Sequence, residues 1–157
     1  MVPPADAPNL QLDLATGTVT LPDGLQVSPH TTRRQLLARG GGPWRVRTGA
    51  PPWRTYQREV GGEASSGCLV ALTFAGDTLR QLTLLLWPSP AAAAAPDGPH
   101  ELQRHAALAA ALLGSDPAAA APGATTMAWG TVRPCYDPRR EQGLLEIRYA
   151  GAAEDGD

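Results

Sequence analysis

The segment His100-Glu101-Leu102-Gln103-Arg104-His105 is the first whose residue types could do chemistry, because two imidazoles around a carboxylate on one helix hold a catalytic zinc ion. The spacing defeats that reading. A zinc helix places its histidines four apart on one face, whereas five residues span about 500° of helix and turn the two rings roughly 140° apart. Three histidines and two separated cysteines do not spell a structural zinc set in any local motif. Cys135 with Arg140 is one residue short of a CxxxxxR phosphate cradle, and position 141 is Glu141. Ala64-Ser65-Ser66-Gly67 is the nearest approach to a GxSxG nucleophile turn and reads as a loop before a strand. The Gly40-Gly41-Gly42 run lacks the GxGxxG order and follows a helix, where a dinucleotide fingerprint follows a strand. Catalytic, metal and cofactor-binding residues are therefore left unassigned. A small hydrolase with a dispersed site stays open as one reading, since triads are recognised by geometry and not by order. It requires a concave pocket where a His or Cys meets a carboxylate.

The stronger signal is electrostatic. Between Asp23 and Glu59 there is no acidic residue, yet Arg33, Arg34, Arg39, Arg45, Arg47, Arg54 and Arg58 all fall there, interleaved with Trp44, Trp53 and Tyr56. The remaining six arginines share the chain with all fifteen acids, so a net charge of −2 conceals a lopsided molecule. Guanidinium groups beside aromatic rings form the hot spots of protein interfaces, or grip phosphates and stack bases. The candidate partner-binding set is Arg33, Arg34, Trp44, Arg45, Arg47, Arg54 and Arg58. An acidic protein partner fits better than nucleic acid, because a phosphate-binding protein more often keeps its overall charge positive. The plain alternative is an edge strand whose arginines alternate outward and pair with acids elsewhere, its tryptophans lying in the core.

The 157 residues suit one domain with a real core, and 43% hydrophobic with 18% charged residues is a globular composition. Every basic residue is Arg; there is one Ile, Ile147, and one Asn, Asn9, which together with abundant Ala, Gly, Pro and Arg imply a GC-rich coding sequence and a bacterial source. Without Lys there is no GxxxxGK[ST] phosphate loop, no Schiff-base chemistry and no lysine-dependent kinase signature. Cys68 and Cys135 lie in apolar strand-like segments and are expected to be free core thiols. The N-terminus has neither the charged nor the apolar region of a signal peptide, and Ala106 to Leu113 is far short of the roughly 20 residues that span a bilayer. A cytoplasmic protein without membrane contact is the expectation.

These residues need a scaffold, and the chain supplies its elements in order. Residues 1–9 should be mobile, and 10–150 form the domain. Leu10, Leu12 and Leu14, then Val19 and Leu21, then Leu25 and Val27 alternate across turns at Thr16-Gly17 and Pro22-Asp23-Gly24, a short meander. Thr32 and Gln35 have capping-box spacing, Leu36 and Leu37 give a small apolar stripe, and Gly40 ends a short helix. Trp44 to Arg47 reads as an edge strand and Trp53 to Val60 as another. Cys68, Val70, Leu72 and Phe74 share one strand face, Gly76-Asp77 turns the chain, and Leu82, Leu84 and Leu86 line the return. Leu85 and Trp87 make the other face of this hairpin partly apolar, so the hairpin is placed centrally, where something packs on both sides and a helix could cover it. The Ala/Pro-rich stretches 88–98 and 115–124 read as loops. A second helix opens at Pro99, with Leu102, Ala106, Ala109, Leu112 and Leu113 as its stripe and Gly114 as its stop. Met127, Trp129 and Thr131 then alternate into a hairpin that returns through Leu145, Ile147 and Tyr149 inward, Glu146 and Arg148 outward, with Asp137-Pro138-Arg139-Arg140 as its tip. Residues 151–157 form an acidic disordered tail. The order describes an α+β domain: a largely antiparallel sheet of about seven or eight strands with two helices on one face.

Several pieces match in order a group of small bacterial α+β proteins of unassigned activity. They are Thr16-Gly17-Thr18-Val19-Thr20-Leu21-Pro22-Asp23-Gly24-Leu25-Gln26-Val27-Ser28-Pro29 running into Thr31-Thr32-Arg33, then Trp53, Tyr56 and Phe74-Ala75-Gly76-Asp77-Thr78-Leu79. Further on come Trp129-Gly130-Thr131-Val132, Tyr136-Asp137-Pro138-Arg139 and Leu145-Glu146-Ile147-Arg148-Tyr149. The chain resembles that group over about residues 10–150, which implies a fold and no activity. In size and plan it is similar to the immunity proteins that neutralise toxins in bacterial competition, an analogy of class. It departs from the group after Pro99, where alanines replace charged and aromatic residues, so that helix is not implied as a shared binding face.

Overall fold

The computed structural model describes residues 10–21, 24–39, 44–60, 68–86, 98–114, 123–139 and 142–150. The expected mobile N-terminus, the Pro22-Asp23 pair, the Gly40 run, the Ala64-Ser65-Ser66-Gly67 loop, Trp87, most of both Ala/Pro-rich stretches, Arg140, Glu141 and the acidic tail lie outside them.

The meander forms as expected from β1 (Gln11–Leu12), β2 (Val19–Thr20) and β3 (Gln26–Val27), but as a separate three-stranded sheet. Helix α1 (Arg33–Arg39) carries the capping box: Gln35 N–H donates to Thr32 Oγ1 at 3.0 Å, and Thr32 N–H donates to Gln35 Oε1 at 3.1 Å. Leu36 is buried, whereas Leu37, expected on the same stripe, is exposed because α1 meets the core along one narrow line.

The main sheet is antiparallel throughout. It comprises β4 (Arg45–Thr48), β5 (Trp53–Val60), β6 (Cys68–Ala75), β7 (Thr78–Leu86), β8 (Thr125–Met127), β9 (Gly130–Asp137) and β10 (Gln142–Tyr149), in the order β4-β5-β6-β7-β10-β9-β8. Two meanders thus join side by side at the β7–β10 pair, and helix α2 (Gly98–Leu112) connects them while packing against β9 and β10. Trp129, expected on a strand, sits in the two-residue turn between β8 and β9.

Strand alternation and register divide the sheet into two faces. Tyr56, Leu72, Leu82 and Ile147 lie in one row across paired strands, and Val70, Leu84 and Leu145 in the next; all are buried. Leu108, Ala109 and Leu112 of α2, Leu36 of α1 and Val19, Leu21 and Val27 of the small sheet join this same core. Both helices and the small sheet therefore cover one face of the main sheet. The two helices share one face as expected, whereas the expectation that something packs on both sides of the β6–β7 hairpin is met on the inner face alone: among the described residues no helix or sheet covers the outer face. On that face Leu69 and Leu85 are half-buried and Ala71 is buried.

The expected stripe of α2 is met at Ala106, Ala109 and Leu112, which are buried, while Leu102 and Leu113 are half-buried; His105, Leu108 and Ala110 are buried beside them and widen the covered face. The alanine run made several phases equally apolar. His105 is fully buried, and its Nε2 accepts the Leu86 N–H at 3.2 Å, completing a backbone donor at the end of β7.

Candidate functional site

The candidate arginines separate according to the parity of the strands that carry them. Arg45 and Arg47 project from edge strand β4 onto the outer face, where Arg45 Nη2 lies 3.9 Å from Glu59 Oε1. Arg54 and Arg58 have the parity of buried Tyr56 and belong to the inner face, Arg54 exposed at its margin. The Arg58 guanidinium stacks 4.7 Å from the centroid of the Trp44 ring, and burial lowers its pKa. Arg33 and Arg34 stand in the first turn of α1, where their backbone N–H groups donate to the Asp77 carbonyl at 3.1 Å and to Asp77 Oδ1 at 3.0 Å. Arg39 at the other end of α1 donates from Nη1 to the Gln26 carbonyl at 2.8 Å. The structure brings Arg45 together with Arg47 and Arg58 with Trp44; the seven candidates do not share one surface.

A different set meets on the outer face of β7, β9 and β10. Glu146 is 8% exposed although it points away from the core, because longer side chains close over it. Arg133 Nη2 donates to Glu146 Oε2 at 2.9 Å, and Arg148 Nη2 to Glu146 Oε1 at 3.5 Å. The hydrogen bond to Glu146 is the main cause that holds the Arg133 pKa above its ordinary value. Cys135, expected in the core, lies half-buried on this outer face, and its thiol donates to Glu146 Oε2 at 3.5 Å. Desolvation and then the neighbouring Glu146 charge push that thiol's pKa up. It is a poor nucleophile at neutral pH, because the thiolate is the reactive form. Cys68 is a core thiol as expected, and burial pushes it up to about 12.

Next to this cluster, where the start of β7 meets the end of β10, lies a cavity of about 300 Å³ lined by Trp53, Arg80, Gln81 and Arg148 and by buried Tyr149. A β-bulge makes it. Thr73 pairs with Gln81 and Phe74 with Leu79, so Arg80 is an extra residue in β7, and both Arg80 and Gln81 fall between inward Leu79 and inward Leu82. Across β6, which offers only Thr73 and Ala75 here, Trp53 projects 43% exposed. The sequence held a trace of this: the apolar period of two runs Leu82, Leu84, Leu86 but slips by one to Leu79. No cluster of three or more metal-ligating side chains occurs among the described residues. Among them, too, no helix is long and apolar enough to cross a membrane.

Fold and site together define an α+β protein whose helices cover one sheet face and whose other face, among the described residues, is left uncovered. No family model and no curated protein matches the sequence. Among solved structures, the fold is similar to that of a chain of "Rhs1-CT in complex with cognate immunity protein RhsI1", with a TM-score of 0.56 and 17% sequence identity over 90% of this chain and 87% of that one.

Proposed function

We propose that the protein is a non-enzymatic binding module of the immunity type, acting by occupying a protein partner. The observation that supports this is the likeness of fold, along nearly the whole of both chains, to a chain from an immunity complex in which each component has a protein partner. The outer face, which no described helix or sheet covers, suits such a role. A sheet face rimmed by Arg45, Arg47, Arg80, Arg133 and Arg148, with Trp53 exposed among them, has the Arg and Trp enrichment of interface cores. A nucleic-acid track draws less support, since the arginines of residues 33–58 divide among α1 and both sheet faces and Arg58 occupies a face of the Trp44 ring. The hydrolase reading finds its Cys beside a carboxylate, but that carboxylate disfavours the thiolate it would need.

The test is capture with the tagged chain from its native host at low and high salt, with and without nuclease. The expected result is one stoichiometric, nuclease-resistant protein that arrests growth when produced alone and is harmless when produced with this chain. Recovery of nuclease-sensitive material only, or of a partner whose expression is innocuous, overturns the reading.

A further inference from the structure

We propose that β4 is a docking edge, which takes up an extended segment of the protein partner as an added strand of the main sheet. The inference rests on the binding-module reading and names where and how the partner docks. β4 is a terminal strand of the sheet, and among the described residues β5 is the strand it pairs with. Just past β4, Gly49 N–H donates to the Trp53 carbonyl at 3.2 Å. Backbone groups of an antiparallel strand alternate in direction, so Arg45 and Arg47 turn theirs towards β5, and Val46 and Thr48 turn theirs away from it. The outward N–H and C=O of Val46 meet no hydrogen-bond partner among the described residues. The register with β5 runs from Arg45 to Thr48 without a shift, and no proline or bulge blunts the edge. Such an edge gains main-chain hydrogen bonds from an incoming strand and reads its alternate side chains.

The two faces of β4 specify that segment. On the inner face Val46 ends the row that runs through Tyr56, Leu72, Leu82 and Ile147. The other four are buried, whereas Val46 is 53% exposed, and an apolar side chain opposite it would extend the core by one place. On the outer face Arg45 and Arg47 are exposed. Glu59 stands 3.9 Å from Arg45 across two well-exposed side chains, a contact of little worth that a closer carboxylate replaces. The segment that fits therefore alternates apolar and acidic residues. A second copy of this chain fits worse: a two-fold axis at Val46 sets Arg45 opposite Arg47, and one at Arg47 sets that residue opposite itself, and like charges directly opposite destabilise a pair. A phosphate backbone fits worse too, because it offers acceptors alone, whereas the edge presents a C=O beside each outward N–H. The opposite edge strand, β8, is three residues long and uncharged, so it has no such preference.

The experiment titrates the full chain with the capped peptide acetyl-Val-Glu-Val-Glu-Val-amide, following backbone amides by NMR. Parallel probes are the analogue with Lys for Glu and two N-methylated isomers of the acidic peptide, one methylated on its Val residues and one on its Glu residues. Saturable shifts centred on Val46 and Thr48, with slower exchange of the Val46 amide, are expected with the acidic peptide. The two isomers should differ by roughly tenfold or more in affinity, since only one set of peptide N–H groups faces the edge. Val46→Pro removes the outward donor while sparing every bond to β5, and it should weaken binding by a similar factor. R45E/R47E should weaken the acidic peptide and admit the Lys analogue. Should Val46→Pro disturb β4 itself, the isomers carry the same test on the wild-type chain. No shift at β4 with millimolar peptide, equal affinity of the two isomers, equal affinity of the Lys analogue, or dimers formed through Val46 without peptide would each overturn the proposal. A captured partner that binds Val46→Pro and R45E/R47E like wild type would also overturn it while leaving the binding-module reading standing. Pairing of the peptide on β4 without any toxic partner would support the edge and count against the immunity reading instead.

Discussion

At the scale of single residues, the side chains that look most reactive are those the fold has made inert. Cys68 is enclosed between Leu86 and Val60 in the register of the main sheet, and burial lifts its pKa from 9.0 to about 12. A group whose folded pKa exceeds its unfolded one contributes stability in full below the unfolded value and loses it as pH rises towards the folded value. For Cys68 the loss begins near pH 9 and reaches on the order of 4 kcal/mol by pH 12. Cys135 is shifted in the same direction by desolvation and Glu146, and buried Tyr149 adds a like loss above its ordinary value of 10.0. Urea midpoints should therefore fall steadily from pH 9 upward. Cys68→Ala should be less stable at pH 7, through the small cavity it leaves, and should fall more slowly between pH 9 and 10. Identical pH slopes in the two proteins would show that Cys68 is not buried as described. The expectation of free core thiols holds for Cys68 and not for Cys135, because the two alternate in equally strand-like segments. Only the pairing partners decide which face each one joins.

At the scale of elements, what the sequence disclosed is what closes locally. The capping box of α1 is written in Thr32 and Gln35, three residues apart, and forms as read. Its other half is invisible in sequence, since Asp77 in the β6–β7 turn accepts from Arg34 N–H across 43 residues and lays a carboxylate at the positive end of the helix. Thr32→Ala removes one of these acceptors and should lower the unfolding free energy by about 0.5–2 kcal/mol. The urea midpoint should drop without change in its slope, the Gln35 amide should exchange faster, and Thr32→Ser should restore both. A Thr32→Ala protein as stable as wild type would mean that Asp77 alone fixes the helix start. The same distinction explains the candidate site. Trp44, Arg45 and Arg47 were legible as neighbours in sequence, whereas the outer-face cavity draws Trp53, Arg80, Gln81 and Arg148 from β5, β7 and β10. Its one local sign was the slipped alternation between Leu79 and Leu82.

At the scale of the whole molecule, the two sheets are tied by contacts that span nearly the full domain. Tyr149 at the end of β10 donates its hydroxyl to the Gly17 carbonyl at 3.0 Å, and Trp129 Nε1 donates to the Leu14 carbonyl at 2.8 Å. The Trp129 and Tyr149 rings pack at 5.8 Å, and Gly17 holds φ at +77° beneath the indole, where an added Cβ would strike the ring. Isolated two-residue strands have little stability of their own, so β1 to β3 owe their order to this junction and to the shared core of Val19, Leu21 and Val27. The small sheet should accordingly open only with the rest. Native-state hydrogen exchange should give the Leu21 amide, which bonds the Leu25 carbonyl at 2.8 Å, the same protection as amides in β7. Tyr149→Phe leaves the Gly17 carbonyl without its donor and should lower both sets together by about 0.5–1.5 kcal/mol. If Leu21 alone loses protection while β7 keeps it, the small sheet is a separately opening flap, and the junction at Tyr149 fastens it without contributing to global stability. If both fall equally, the small sheet and the main sheet open as one cooperative unit, and the Tyr149–Gly17 hydrogen bond contributes to the stability of the whole domain.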